Sequence, residues 1–525
     1  MGEDEFALER ILQYKEAYLA LLLLDLEPIR DDLEACYCPT PRGYEAYDAV
    51  AMFRTFLLMG IREWSHISTW PQELAGHPEL RILSGFEEGE IPQRTCLRDF
   101  PTRLLDGPYQ KPCDCIERPS EGQRGKSFLR NLKEEKEEAK RALLEKKSSP
   151  SEKRSQQAVR DALESLSSSQ KPDFIARMNE LLWKCAVVPS IEKGLMGDIT
   201  KLLISGDGSA LESQANKRGK KTCECFSQGI EKCDCDRLYS DPDATWGYDS
   251  TNKVNFFGAK VHAFSTYHNH HDFPLFVSVN RAATPDVVLG SQELAILEKF
   301  RRNFLPEGRF QYGAFDKAYD ANAFYELLAI LGIAPLIPIN TGNLSPNPPG
   351  KFKRDEKGCP LCPGGVPMKL RGASHNRGHN TYICPAKYQG RTNGKIVWKV
   401  NMERCPLGKL CEPDSKMGPL LYLRFNEDYR YNPIVPRESN KFKELFKQRS
   451  SPERLFSQWE KPILSSRIHR RHHLYQMRLT CAAINIHAKI WAREHFDIDS
   501  VKTGKDVIAC LEQILHDSEK KRGSG

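Results

Sequence analysis

The chain has 525 residues, more than one hydrophobic core normally serves, so about two to four domains are expected. Charged residues make up 28% and aromatic residues 9% of it, a balance that excludes a largely disordered protein. The net charge of +7 is modest, so any polyanionic partner has to be inferred from where the basic residues lie. No N-terminal targeting signal is visible, and the apolar run at 17–24 is shorter than the roughly 20 residues of a membrane-spanning helix. We therefore expect a protein of the cytoplasm or nucleoid that has no membrane partner.

Residues 1–112 have the apolar spacing of helices and predict a helical N-terminal domain. The strongest segment is Asp48–Gly60, and shorter helical segments follow it. On the last of these, Gln93–Leu104, the side chains of Arg94 and Arg98 are placed to face outward. Small helical bundles with one basic helix commonly bind DNA, which is the function predicted here. The alternative is a helical subdomain that only packs on the rest of the molecule.

Residues 113–195 predict a charged helical linker to which we assign no chemistry. The segment Lys133–Lys147 is dense in Glu and Lys at helical spacing, which is typical of a solvated helix. A second helical segment, Asp173–Val188, leads towards the first predicted strand.

Residues 196–340 predict an α/β fold, in which a mixed sheet is flanked by helices. A short buried strand ends at Asp207, and a later strand that begins at Phe310 ends at Asp316. Between them lies a polar, cysteine-bearing insertion at 210–252. The other predicted elements are strands at Phe256–Phe264, Phe273–Val279 and Ile333–Ile339 and helices at Pro285–Phe300 and Ala321–Leu331. The two strands that carry the aspartates have to be neighbours if the carboxylates are to act together.

Three carboxylates form the candidate catalytic group, namely Asp207, Asp316 and Glu453, the last in a basic helical stretch. Carboxylate oxygens are the ligands that hard divalent cations prefer. Two such ions about 4 Å apart can activate an attacking oxygen and stabilise the leaving oxygen in phosphoryl transfer. The sequence therefore predicts a metal-dependent polynucleotidyl transferase. The alternative is that these residues serve turns and caps, and Asp320, the rival of Asp316, is interpreted as the cap of the following helix.

The 17 cysteines are clustered, which in a reducing compartment favours metal binding over disulfides. One cluster consists of two CxC pairs, Cys223 with Cys225 and Cys233 with Cys235. The other lies in a Gly-, Pro- and Cys-rich insertion at 341–436 and comprises Cys359, Cys362, Cys384, Cys405 and Cys411. Each cluster can supply four thiolates to a structural zinc ion, and the CxxC step in the second is the more typical of zinc. The alternative is unligated, reduced thiols.

Residues 437–525 predict a return to the α/β core followed by basic C-terminal helices. Basic side chains that neutralise phosphates release counterions and bind DNA strongly. The candidates in this part are Arg449, Arg454, Lys461, Arg467, Arg470 and Arg471. On the strand at 256–264, Lys260 and His262 are further candidates for DNA contact. A buried structural histidine is the alternative for His262.

Several of these segments resemble the catalytic motifs of DDE transposases from bacterial insertion sequences. The similar segments are Gly206–Ser209, Phe315–Asp320, Arg449–Phe456 and, for that family's second strand, Phe257–His262. They follow the family's order, and Asp48–Leu105 is similar to the helical domain that often precedes it. Arg449 matches the arginine of the family's tyrosine–arginine–glutamate–lysine signature. Phe446 replaces the tyrosine, Glu460 stands where the lysine is expected with Lys461 next to it, and Ala318 replaces a glycine.

The resemblance implies a ribonuclease-H-like core that binds two Mg²⁺ or Mn²⁺ ions through Asp207, Asp316 and Glu453. It also implies cleavage of double-stranded transposon ends, joining of the 3′-hydroxyl to target DNA, and a homodimer in the synaptic complex. One alternative is a nuclease on the same core that cuts without joining. The other is a catalytically idle, zinc-bearing DNA-binding protein descended from a transposase.

Overall fold

A computed structural model describes most of the chain. The described residues are 11–39, 46–63, 66–109, 151–167, 172–225, 227–230, 233, 235, 237–249, 252–340, 352–407, 409–464 and 471–523. The charged helix predicted at Lys133–Lys147 lies outside them. Within these ranges no helix combines the length and the apolar character needed to cross a bilayer.

Helices precede and follow the central sheet. Those before it are α1 (Lys15–Leu22), α2 (Arg30–Glu34), α3 (Ala49–Ile61), α4 (Trp70–Gly76), α5 (Pro78–Ser84), α6 (Arg94–Asp106), α7 (Ser151–Ser167), α8 (Phe174–Leu182) and α9 (Val188–Glu192). Those after its first strand are α10 (Asp286–Phe304), α11 (Asn322–Ile330), α12 (Asn440–Phe446), α13 (Ser451–Trp459), α14 (His472–His495) and α15 (Gly504–Gly523). The start of α3 is set by its sequence, because the Asp48 carboxylate caps it by accepting a 2.7 Å hydrogen bond from the Ala51 amide.

The central sheet has six strands and is mixed. Its strands are β1 (Leu202–Glu212), β4 (Thr245–Asp249), β5 (Val254–His268), β6 (His271–Arg281), β7 (Phe310–Phe315) and β8 (Ala334–Leu336). The order across the sheet is β6–β5–β1–β7–β8, and β4 pairs with the first residues of β5. Strand β5 is antiparallel to both β1 and β6, whereas β1, β7 and β8 are parallel. The predicted α/β class is confirmed.

The outer edge of β6 is covered by side chains from helices α8 and α14. The Asn179 amide group both donates to and accepts from the backbone of Val277, at 2.8 Å each. Gln476 accepts a 2.9 Å bond from the Val279 amide and donates a 2.8 Å bond to the Val277 carbonyl. These contacts satisfy backbone groups that an edge strand would otherwise leave unpaired. One continuous hydrophobic core then joins the N-terminal helices, the sheet and α14.

Two insertions interrupt the sheet. The first leaves β1 and contains the two-residue strands β2 (Lys220–Lys221) and β3 (Arg237–Leu238). The second contains β9 (Lys369–Ser374), β10 (His379–Ile383), β11 (Lys387–Thr392), β12 (Lys395–Val400) and β13 (Leu421–Arg424). Its own small core is built from Cys359, Met368, Tyr382 and Leu423.

Candidate active site

Asp207 and Asp316 emerge side by side from adjacent parallel strands. In the register of β1 and β7, Gly206 lies opposite Phe315, so the two aspartates are the next residues along. This confirms that the strands carrying them are neighbours. Strand β7 stops at Phe315, but β1 continues to Glu212 along β5, so the prediction that Asp207 ends its strand is wrong. Beyond the two carboxylates, β1 therefore continues without β7 beside it.

Glu453 reaches the same place because α13 is fastened to the sheet. The Ser451 hydroxyl lies 2.7 Å from that of Ser265 on β5, and the Ser205 hydroxyl on β1 donates a 2.9 Å bond to the Gln448 carbonyl. Both contacts are at buried or partly buried positions, so they fix the start of α13 over the centre of the sheet. Glu453 lies in its first turn.

Arg449 connects the helix to the sheet electrostatically. Its guanidinium lies 2.8 Å from the Glu453 carboxylate and 3.9 Å from that of Asp207. The arginine therefore stands between two of the three predicted ligands and partly neutralises them.

The site is strongly acidic. Burial raises the pKa of Asp207 to about 7, and the charges of Asp316, Asp286 and Glu453 add to this against a hydrogen bond from the Gly208 amide. The pKa of Asp316 is also raised, first by burial and then by Asp286, against a hydrogen bond from the Ala318 amide. Desolvated carboxylates that repel one another are typical of functional sites.

Asp286 is a fourth carboxylate of this site, and its role was not predicted from the sequence. It opens α10, its Oδ1 accepts a 2.9 Å bond from Lys260, and a methyl group placed on Gly208 would lie 2.6 Å from that oxygen. The topology explains its position. Strand β6 is antiparallel to β5, which is antiparallel to β1, so β6 runs in the same direction as β1 and β7. The C-terminal end of β6, which leads to Asp286, therefore lies on the same side of the sheet as the C-terminal ends of β1 and β7. The signal was an acidic residue at the start of the helix that follows such a strand.

The prediction that His262 contacts DNA is wrong. Its side chain is fully buried, with Nδ1 2.5 Å from Glu293 and Nε2 2.5 Å from the Tyr319 hydroxyl. Residues on one face of a strand meet whatever packs on that face, which here is α10. The alternative of a buried structural histidine agrees with these contacts. Lys260, two residues earlier, is mostly buried and holds Asp286.

Asp320 does not cap a helix. Its carboxylate receives bonds of 2.9 and 2.6 Å from the Arg430 guanidinium, together with bonds from the Tyr325 hydroxyl and the Asn340 amide. The pair is buried, so it ties the end of the second insertion to the core. The interpretation of Asp320 as a cap is wrong. Because its carboxylate is paired with Arg430, Asp316 and not Asp320 is the carboxylate at the site.

The other predicted DNA-binding residues differ in their surroundings. Arg94 and Arg98 are exposed on α6, and Arg471 is half-buried. Arg454 forms an ion pair with Asp272 through two hydrogen bonds of 2.7 and 2.6 Å. A DNA phosphate would have to displace this carboxylate to bind Arg454 as predicted. The side chain of Lys461 and all of Arg467 and Arg470 lie outside the described residues.

The two cysteine clusters differ in how closely their thiols approach. The ligand atoms of Cys223, Cys225, Cys233 and Cys235 all lie within 4.8 Å of one another. In the second insertion four thiol-bearing residues line one small cavity, namely Cys362, Cys384, Cys405 and Cys411. Cys359 does not line this cavity: its thiol is buried in the small core, 3.3 Å from the Met368 carbonyl, and Cys362 packs against the same core. Zinc binding by the cysteines of this insertion stays a prediction.

Comparison with protein families finds a match over residues 219–486, about half of the chain, to the family described as transposase DDE domain. The chain belongs to this family. The membership in the DDE transposases that was predicted from the sequence is confirmed, and the family indicates a transposase-type function. The matched residues include Asp316 and Glu453, whereas Asp207 precedes them on β1. A search of curated proteins gave no match.

Proposed function

We propose that this DDE transposase cuts the transposon ends of an insertion sequence and joins the 3′-hydroxyl to target DNA. The observation that carries the proposal is the convergence of Asp207, Asp316 and Glu453 at one edge of the sheet. These residues come from distant parts of the chain, and structural roles in turns would not require them to meet.

The strand order supports a ribonuclease-H-like core for this chemistry. Three antiparallel strands, β6–β5–β1, continue into the parallel strands β7 and β8, and the first aspartate lies on the central strand β1. The second aspartate follows the adjacent parallel strand β7, and the glutamate comes from helix α13, which packs on β1, β5 and β6.

The donor set fits Mg²⁺ or Mn²⁺. It contains only carboxylate oxygens, and burial, with a smaller contribution from neighbouring carboxylates, raises the pKa values of Asp207 and Asp316, a cost that a bound cation would relieve. Asp207, Asp316 and Glu453 would hold the ions, with Asp286 as a further oxygen donor. Two such ions supply an activated oxygen nucleophile, first from water and then from a DNA 3′-hydroxyl, and stabilise the leaving oxygen.

The chain's own cations would orient the DNA. Arg449 and Lys260 flank the carboxylates, where each can exchange a carboxylate partner for a phosphate. Arg94 and Arg98 on α6 would contact the transposon end. Because two ends have to be cut and joined together, a homodimer is the assembly that we propose for the DNA complex.

The test is an assay in which labelled DNA that carries either end of the transposon is incubated with the protein, a plasmid and Mg²⁺. Wild type is expected to cut the labelled DNA and join it to the plasmid. Asp207→Asn, Asp316→Asn and Glu453→Gln should each lose both products while binding the DNA in a gel-shift assay. Glu444→Gln, which removes an exposed carboxylate on α12, is the matched control and should retain both products.

The outcomes separate the alternatives. A cut product that is never joined would identify a nuclease. If wild type and variants all bind the DNA but give neither a cut nor a joined product, the protein is a catalytically idle DNA-binding protein. Full cleavage by Asp207→Asn would contradict the proposed metal site.

A further inference from the structure

The first insertion folds back on itself without a hydrophobic core. It leaves β1 after Glu212 and returns through β4, and among its described residues from 216 to 240 none is buried. Ile230 and Leu238 are about half exposed. The regular structure among these described residues is one ladder of two residue pairs, Lys220 with Leu238 and Lys221 with Arg237. Chains that bury so little apolar surface normally need a disulfide or a metal ion to hold one conformation.

Four thiols meet just beyond this ladder. Cys223 and Cys225 come from one arm and Cys233 and Cys235 from the other, and their sulfur atoms pair across the arms at 3.5 Å. All four lie within 4.8 Å of one another. Zn–S bonds of about 2.3 Å in a tetrahedron place the sulfur atoms roughly 3.8 Å apart, so little movement is needed to enclose the ion.

We propose that Cys223, Cys225, Cys233 and Cys235 bind one structural zinc ion that holds the two arms of this insertion together. The site is structural because four thiolates fill every position of a tetrahedral zinc and leave none for water or substrate. A single four-sulfur group also favours one ion over two separate disulfides, which would need an oxidant and would not require the pairs to approach one another.

The ion would fix a basic loop that follows the end of β1. The insertion carries Lys217, Arg218, Lys220, Lys221 and Arg237, and it continues the strand that holds Asp207. Zinc binding is then expected to order these cations for contact with DNA phosphates. This consequence rests on the proposed function, whereas the metal site itself does not.

The first experiment measures zinc in the full-length protein purified under reducing conditions. The double variant Cys223→Ser/Cys233→Ser should contain one zinc per chain less than wild type. Cys510→Ser, which removes a thiol from α15, should contain as much as wild type. The difference is read against wild type, so a second zinc in the other insertion would not affect it. An unchanged zinc content in the double variant would overturn the proposal.

The second experiment uses the wild-type protein and so does not depend on how a variant folds. Alkylation followed by mass spectrometry should show the four thiols protected until a zinc chelator is added. Equal labelling with and without the chelator, or disulfides between these cysteines in the reduced preparation, would overturn the site. If zinc is lost from the double variant and its DNA affinity is unchanged, only the DNA-contact role is wrong. A reduction of severalfold is the expected result.

Discussion

Burial at the site raises the pKa of Asp207 to about 7, against an ordinary value of 3.8. The folded state therefore holds a proton that the unfolded chain releases at lower pH. Between these two values the stability contributed by the protonated group is lost as pH rises. The desolvated Asp207 carboxylate is in this sense a local source of instability in the protein without a bound cation.

Asp207→Asn is therefore expected to stabilise the metal-free fold at pH 8, by roughly 1–3 kcal/mol, because asparagine carries no charge to desolvate. The gain should shrink at pH 5, where the wild-type group is largely protonated. Urea unfolding in EDTA at the two pH values measures it. Equal stability of variant and wild type at pH 8 would contradict the electrostatic account.

Gly208 illustrates a steric requirement of the same site. A Cβ at this position would lie 2.6 Å from the Asp286 carboxylate and 3.3 Å from the Lys260 side chain. Gly208→Ala is expected to displace Asp286 and reduce Mg²⁺-dependent cleavage by about tenfold or more, since small displacements of catalytic groups have large kinetic effects.

The control is Gly372→Ala on β9, where an added Cβ meets nothing within 4 Å. Cleavage rates and gel shifts are compared for both variants. A Gly208→Ala protein that cuts DNA at the wild-type rate would show that Asp286 does not need its observed position.

At the scale of elements, α6 has two distinct faces. Leu97, Phe100 and Leu104 are buried against the other helices, and Arg94 and Arg98 are exposed outside this face. Burial of the apolar face fixes the helix, so its arginines can be presented to DNA in a constant position.

Arg94→Ala/Arg98→Ala should weaken binding of transposon-end DNA and lower the slope of log affinity against log salt by about 2, one for each lost phosphate contact. The variant Arg154→Ala/Arg160→Ala on α7 removes the same charge from exposed positions and should leave the slope unchanged. Binding titrations over a range of salt concentrations make the comparison. Equal slopes for the two variants would indicate that only net charge matters.

For the whole molecule, the distribution of buried residues separates the second insertion from the rest. One continuous core joins the N-terminal helices to the sheet and α14, while the second insertion has its own small core. The buried Asp320–Arg430 pair connects the two parts.

Amides of β9, β10 and β13 are accordingly expected to exchange hydrogen at least about tenfold faster than those of β1, β5 and β6, because a smaller core opens at a lower free energy. Hydrogen exchange followed by mass spectrometry on the full-length protein provides the measurement. Equal protection in both regions would mean that the insertion unfolds only with the core.

The sequence alone determined most of the local features of this protein. Its apolar runs predicted the strands that carry Asp207 and Asp316, although not where the first one ends, the segment that begins at Asp48 predicted α3, and the motif segments identified the family. These properties depend on neighbours along the chain, where capping and periodicity operate.

Only the tertiary structure decided which groups meet. The inclusion of Asp286 in the site and the burial of His262 both depend on strand order and on packing between distant segments. The same holds for Asp320, whose partner Arg430 lies far along the chain. A local pattern shows that a carboxylate, an imidazole or a thiol is available, but desolvation and the charges around it follow from long-range contacts, and these determine what it can do.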